Sequence, residues 1–124
     1  MSETRLWQKL KHALGDHHAQ RHENKFPPGI PDVHYVINDV AGWIELKYRD
    51  AYPRRSPLKI LDPLQYIWHT KYQKAGGKSF TLIQVEDDYF LSADPMKFAE
   101  GRIHLRRICI QLNSIDASIL RHLS

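Results

Sequence analysis

Two β-forming runs joined by a short turn, at residues 32–37 and 43–48, constrain the fold of this chain more than any other feature. The first reads Asp-Val-His-Tyr-Val-Ile and the second Trp-Ile-Glu-Leu-Lys-Tyr, both rich in β-branched and aromatic residues. Asn38 to Gly42, between them, supply turn chemistry. So short a link makes an antiparallel hairpin the natural arrangement. The preceding Pro27-Pro28-Gly29-Ile30-Pro31 cannot be helix and makes a poor strand.

The rest of the chain supplies partners for that hairpin. Residues 3–14 read as an amphipathic helix, with Leu6, Leu10 and Leu14 at spacing four, Ser2 as N-cap and Gly15 as stop. Asp16 to Lys25 is polar and carries His17, His18 and His22, which read as solvated residues near a helix end. Asp62-Pro63 opens a second helix running to about Ala75 and stopping at Gly76-Gly77. Leu64, Ile67, Trp68 and Tyr72 are its expected apolar face, and His69 an expected surface residue. Residues 79–85 and 88–92 read as strands, Asp94-Pro95 as the start of a short helix ending near Gly101, 104–112 as a strand and 115–123 as a terminal helix. The order predicts a single α/β domain over residues 1–124, a central mixed sheet flanked by helices.

Composition narrows the classes. The net charge of +4 favours a polyanionic partner such as nucleic acid, with weight only where the charges cluster near a site. The single cysteine, Cys109, excludes an internal disulfide and a cysteine-based zinc site, and its place between Ile108 and Ile110 reads as structural. The apolar stretches are shorter than a membrane span needs, and the N-terminus lacks the apolar core of a signal peptide, so a cytoplasmic protein is expected.

The second strand carries the chemistry. Side chains alternate along a strand, so Trp43, Glu45 and Lys47 share one face and Ile44, Leu46 and Tyr48 share the other, which reads as the buried one. Folding the hairpin brings Asp32 level with Glu45 and Lys47. Two carboxylates plus the backbone carbonyl of Leu46 suit a hard cation such as Mg²⁺ or Mn²⁺. Lys47 can orient an attacking water or stabilise a phosphate. An isolated Glu-x-Lys is otherwise an ordinary surface ion pair; the Pro-Asp, the spacing and the apolar opposite face distinguish this one.

Gly29-Ile30-Pro31-Asp32-Val33 followed by Trp43-Ile44-Glu45-Leu46-Lys47 resembles the bipartite signature of PD-(D/E)XK nucleases. It is most similar to the compact phage and VRR-NUC type related to Holliday-junction resolvases. In that group a glutamine-bearing helix and a glycine-rich turn into a strand follow, as Gln65, Gly76-Gly77 and Phe80 to Val85 do here. The resemblance spans roughly residues 3–92 and implies a restriction-endonuclease-like core and a Mg²⁺-dependent DNA endonuclease. It implies Asp32 and Glu45 on metal and Lys47 as catalytic. It also implies a glutamate from the first helix, for which Glu3 fits; Glu23, just before the Gly-Ile-Pro-Asp segment, is the rival. For a phage-encoded chain the compartment is the host cytoplasm.

Gln65 has two readings. It stands three residues after Asp62, the spacing of a capping box, and it can also hydrogen-bond a phosphate or a catalytic water. Arg49, Arg54, Arg55 and Lys59 form a basic loop leaving the catalytic strand, where a sugar-phosphate backbone would pass. Tyr48 and Tyr52 add aromatics there that can stack on unpaired bases, although core packing explains Tyr48 better. The expected partner is branched or junction DNA, and two paired cuts suggest a homodimer. The alternative is a nucleic-acid-binding module without catalysis, alone or within a larger nuclease machine.

Overall fold

The computed structural model describes residues 2–23, 27–52, 60–95 and 109–124. The first helix, α1 (Glu3–Leu14), starts where Ser2 Oγ accepts the Arg5 N–H at 3.2 Å. It ends at Gly15, whose positive φ turns the chain and whose N–H reaches Lys11 and His12 carbonyls. Leu6, Leu10, Ala13 and Leu14 form its buried stripe.

Among the described residues six strands follow: β1 (His18–Arg21), β2 (Val33–Ile37), β3 (Val40–Arg49), β4 (Lys78–Val85), β5 (Asp88–Ser92) and β6 (Ile110–Leu112). They lie in one sheet in chain order. Of the described strands β3 and β4 alone pair in parallel, because α2 (Pro63–Lys74) carries the chain back between them. All other neighbours are antiparallel. The chain ends in a 3₁₀ turn (Ala117–Ile119) and the short α3 (Leu120–Leu123). The mixed sheet flanked by helices is the expected α/β architecture. The expected helix at 94–101 and most of the strand at 104–112 lie outside the described residues.

The main core lies between α1 and one sheet face. Leu6, Leu10 and Leu14 pack with Val33, Tyr35, Ile44, Leu46 and Leu82, and Ile119 and Leu123 close the cluster. Tyr35 stands opposite Gly42 across the hairpin, and its ring occupies the space a Gly42 side chain would need. Its hydroxyl donates to the Leu123 carbonyl at 2.8 Å, tying the C-terminus to the sheet. A smaller cluster of Ile60, Leu61, Ile83, Val85 and Phe90 lies apart, with Tyr52, Tyr66 and Cys109 packed against it.

Besides the earlier start of β3, at Val40 after an Asn38-Asp39 turn rather than at Trp43, two elements differ from the sequence reading. The polar segment after α1 contains strand β1, which pairs residue by residue with β2. Its backbone ladder, rather than an apolar pattern, defines it, and its residues stay exposed or half-buried as suits an edge. The second difference is the orientation of α2. Leu64 and Ile67 are 53% and 46% exposed, and the one buried residue of the helix is His69. The stripe turned to the sheet is Gln65, His69 and Gln73, because the strands beneath offer Glu45 and Ser79, whose buried polar groups require partners.

Candidate active site

The site begins where the hairpin opens. Val33 pairs with Ile44, so Asp32 stands one step beyond the last β2–β3 pair. Its carbonyl accepts the His22 N–H at 2.7 Å, holding it toward β1. Its carboxylate turns the other way and accepts the Leu46 N–H at 2.8 Å. The side chain thus continues the ladder that the main chain leaves, and it is fixed against β3 beside Glu45.

Glu45 is only 2% exposed, so both faces of β3 are covered here, not one. A buried carboxylate is costly unless it is paired or hydrogen-bonded. Gln65 Nε2 donates to Glu45 Oε1 at 2.9 Å, and Lys47 Nζ stands 3.7 Å from the same oxygen. The Lys47 side chain is itself only 14% exposed. Both readings of Gln65 meet in one residue. Its backbone N–H bonds Asp62 Oδ1 and its Oε1 accepts the Asp62 N–H, completing the capping box, while its Nε2 reaches Glu45. The helix start is therefore locked by the same side chain that touches the carboxylate.

Gly29 sets the approach of the Pro-rich segment to α2. Its φ is +96°, and a Cβ there would stand 2.6 Å from the Leu64 carbonyl oxygen. Gly29→Ala therefore combines left-handed strain with a clash against helix backbone. It is expected to destabilise the fold by about 2 kcal/mol and to loosen the Pro-rich segment against α2. Urea denaturation reads the first effect; an unchanged midpoint would show that the segment relaxes freely.

The donor set suits a particular class of cation. Asp32, just before β2, and Glu45, in β3, could supply carboxylates, and the Leu46 carbonyl lies between Glu45 and Lys47 in β3. Among the described residues no group of three or more His, Cys, Asp or Glu side chains assembles into a metal site. Two carboxylates and a backbone carbonyl are oxygen donors of the kind that could hold a hard cation, with substrate oxygens and water completing the shell. Glu3 lies half-buried in the first turn of α1, and Glu23 is exposed beside Arg21 at 3.9 Å. Neither joins Asp32 and Glu45 in a three-ligand cluster in this structure. Arg21 Nη1 also donates to Thr4 Oγ1 at 3.3 Å, which brings the start of α1 to the end of β1 nearest Asp32.

Arg49 is half-buried at the end of β3, and its Nη1 donates to the Tyr48 carbonyl at 2.9 Å. Arg54, Arg55 and Lys59 lie outside the described residues. Tyr52 donates its hydroxyl to Asp88 Oδ2 at 2.7 Å.

His69 is the site residue that sequence reasoning misplaced. It is buried, not on the surface, and its Nδ1 is 2.8 Å from Ser79 Oγ. Gln73 Nε2 donates to that hydroxyl at 3.0 Å and to the Ala93 carbonyl at 2.7 Å. Burial pushes the imidazole pKa down to about 4, and the nearby Lys47 ammonium lowers it further while Asp32 opposes the shift. His69 is therefore neutral at pH 7, one helical turn from Gln65. The signal was present as polar residues at spacing four, Gln65, His69 and Gln73, on one side of the helix.

No family model matches the chain, and no curated protein matches it. Among solved structures it is similar to Hjc, a Holliday junction resolvase from the archaeal hyperthermophile Archaeoglobus fulgidus. The identity is 15%, the TM-score 0.47, and the alignment covers 96% of this chain and 85% of that one.

Proposed function

We propose that this chain is a metal-dependent endonuclease that hydrolyses phosphodiester bonds in DNA, with branched or four-way junctions as its preferred substrates. The observation that carries the reading is the convergence on Glu45. A carboxylate that is 2% exposed is met by Gln65 and Lys47 and stands beside Asp32, just before the neighbouring strand. A core has no need of such a group, and a binding surface would not bury it.

In this reading Asp32, Glu45 and the Leu46 carbonyl hold Mg²⁺, with Mn²⁺ as a substitute. When bound, such a cation would lower the pKa of a water and offset charge developing on the phosphate. Lys47 donates to a phosphate oxygen or orients the attacking water, and its contact with Glu45 keeps it in the site. Gln65 fixes the Glu45 rotamer and can pass a hydrogen bond to water or phosphate. Arg49, Arg54, Arg55 and Lys59 contact the DNA backbone. The junction preference rests on the motif resemblance, and a two-fold dimer would supply the paired cuts that a junction needs.

The direct test is incubation of the purified protein with labelled linear, nicked, flapped and four-way DNA, in Mg²⁺ or EDTA. Cleavage is expected in Mg²⁺, strongest on branched forms, and none in EDTA. Inactivity on every substrate in both Mg²⁺ and Mn²⁺ would remove the proposal.

The third acid is resolved by comparing two variants. If Glu3 completes the site, Glu3→Gln lowers the cleavage rate by about tenfold or more, while Glu23→Gln changes it little. The reverse ranking assigns the role to Glu23.

A further inference from the structure

The sheet face that carries Glu45 continues sideways into a surface the cleavage chemistry does not use. Gln20, His34 and Trp43 form one row across β1, β2 and β3. His18 and His22 lie two residues to either side of Gln20. The rings of this face touch in sequence. His18 meets His34 at 5.6 Å, His34 meets Trp43 at 4.9 Å, and His22 meets Trp43 at 5.3 Å. Trp43 meets Trp68 of α2 edge-on at 5.7 Å, and Trp68 stacks on Tyr72 at 4.7 Å and 18°.

None of these six rings is buried. The alternation in β2 explains why: Val33, Tyr35 and Ile37 point into the α1 core, while His34 and Val36 stay half-exposed. The side-chain bonds from α2 reach Glu45 on β3, Ser79 on β4 and the Ala93 carbonyl, toward β4 rather than toward β1 and β2. An aromatic tract built as core would be covered; this one keeps ring surface in water and starts at Trp43, two residues before Glu45 on the same strand face.

We propose that this tract is a stacking platform for unpaired bases of a DNA strand whose backbone enters the site at Glu45. The inference rests on the nuclease reading and adds which part of the DNA the protein holds and where. Two features select that occupant. First, exposed Lys71 and Lys74 flank Trp68 and Tyr72 on α2, the positive rim that a polyanion favours. Second, the platform is continuous with the candidate site, so a strand lying on it leads straight to the carboxylates. A duplex hides the faces of its bases, whereas unpaired bases at a branch expose them to aromatic rings.

The test compares a single-stranded oligodeoxythymidine with an abasic oligomer of equal length and charge, in Ca²⁺, by fluorescence anisotropy. The wild-type protein is expected to bind the base-bearing strand about tenfold or more tightly. Trp43→Leu should reduce that ratio by about threefold or more, Trp43→Phe should restore it, and His34→Ala should lower it to a smaller degree. Equal wild-type affinities for the two oligomers overturn the proposal without any variant, and so does a ratio unchanged in folded Trp43→Leu. Base-dependent binding by a protein that cleaves nothing in Mg²⁺ would keep the platform and remove the nuclease. Mg²⁺-dependent cleavage with equal affinities would do the reverse.

Discussion

Asp32→Asn and Glu45→Gln are each expected to lower the proposed Mg²⁺-dependent DNA cleavage by about a thousandfold or more, while the fold survives. The size follows from the several kcal/mol that a bound cation contributes to phosphoryl-transfer chemistry. Survival of the fold follows from the hydrogen bonds. An asparagine oxygen at position 32 still accepts the Leu46 N–H, and a glutamine oxygen at position 45 still accepts from Gln65 Nε2. What each variant loses is negative charge in a place where water cannot replace it. Without a divalent cation, in EDTA, DNA affinity is expected to be unchanged or higher for both, since carboxylates beside a phosphate repel it. Single-turnover cleavage with a denaturant melt of each variant checks the result. A wild-type rate in either variant would falsify the assignment of these carboxylates to the metal.

The second large effect is on stability in acid, and it comes from His69. An unfolded imidazole takes up its proton near pH 6.5, whereas the folded one takes it up only near 4. Between those values the unfolded state binds more protons, so folding stability falls as the pH falls. The contribution is complete above the unfolded value and is lost on descending to the folded one. The gap corresponds to about 3 kcal/mol. Its cause is geometric: an imidazolium at this position would be buried under α2, within reach of the Lys47 charge. Urea denaturation at pH 7 and pH 4.5 in EDTA, for wild type and His69→Gln, isolates the effect from the carboxylates. The wild type is expected to lose more stability than the variant between the two pH values, by up to that amount. Parallel losses would mean that His69 is solvated and titrates normally.

The amino-acid sequence by itself determined the framework of this protein and two of its site positions relative to each other. Leucines at spacing four, Ser2 and Gly15 specify α1, because helix periodicity and capping are local. The turn at Asn38-Asp39 fixes the hairpin, and the hairpin fixes the register that sets Asp32 beside Glu45, since a one-residue slip would expose Ile44 and Leu46. Three things were decided only by tertiary structure. The edge strand β1 is polar, and it exists because β2 offers it a backbone ladder, which no side-chain pattern announces. Leu64 and Ile67 suggested an apolar inner face for α2, but a helix turns toward whatever its neighbours leave unsatisfied. Here Glu45 and Ser79 outweigh the burial of a leucine and an isoleucine, which stay in water. For the same reason His69, a surface residue by composition, becomes a buried neutral imidazole beside the site. Periodicity shows which residues share a face of an element, but what that face meets depends on chain that lies far away in sequence.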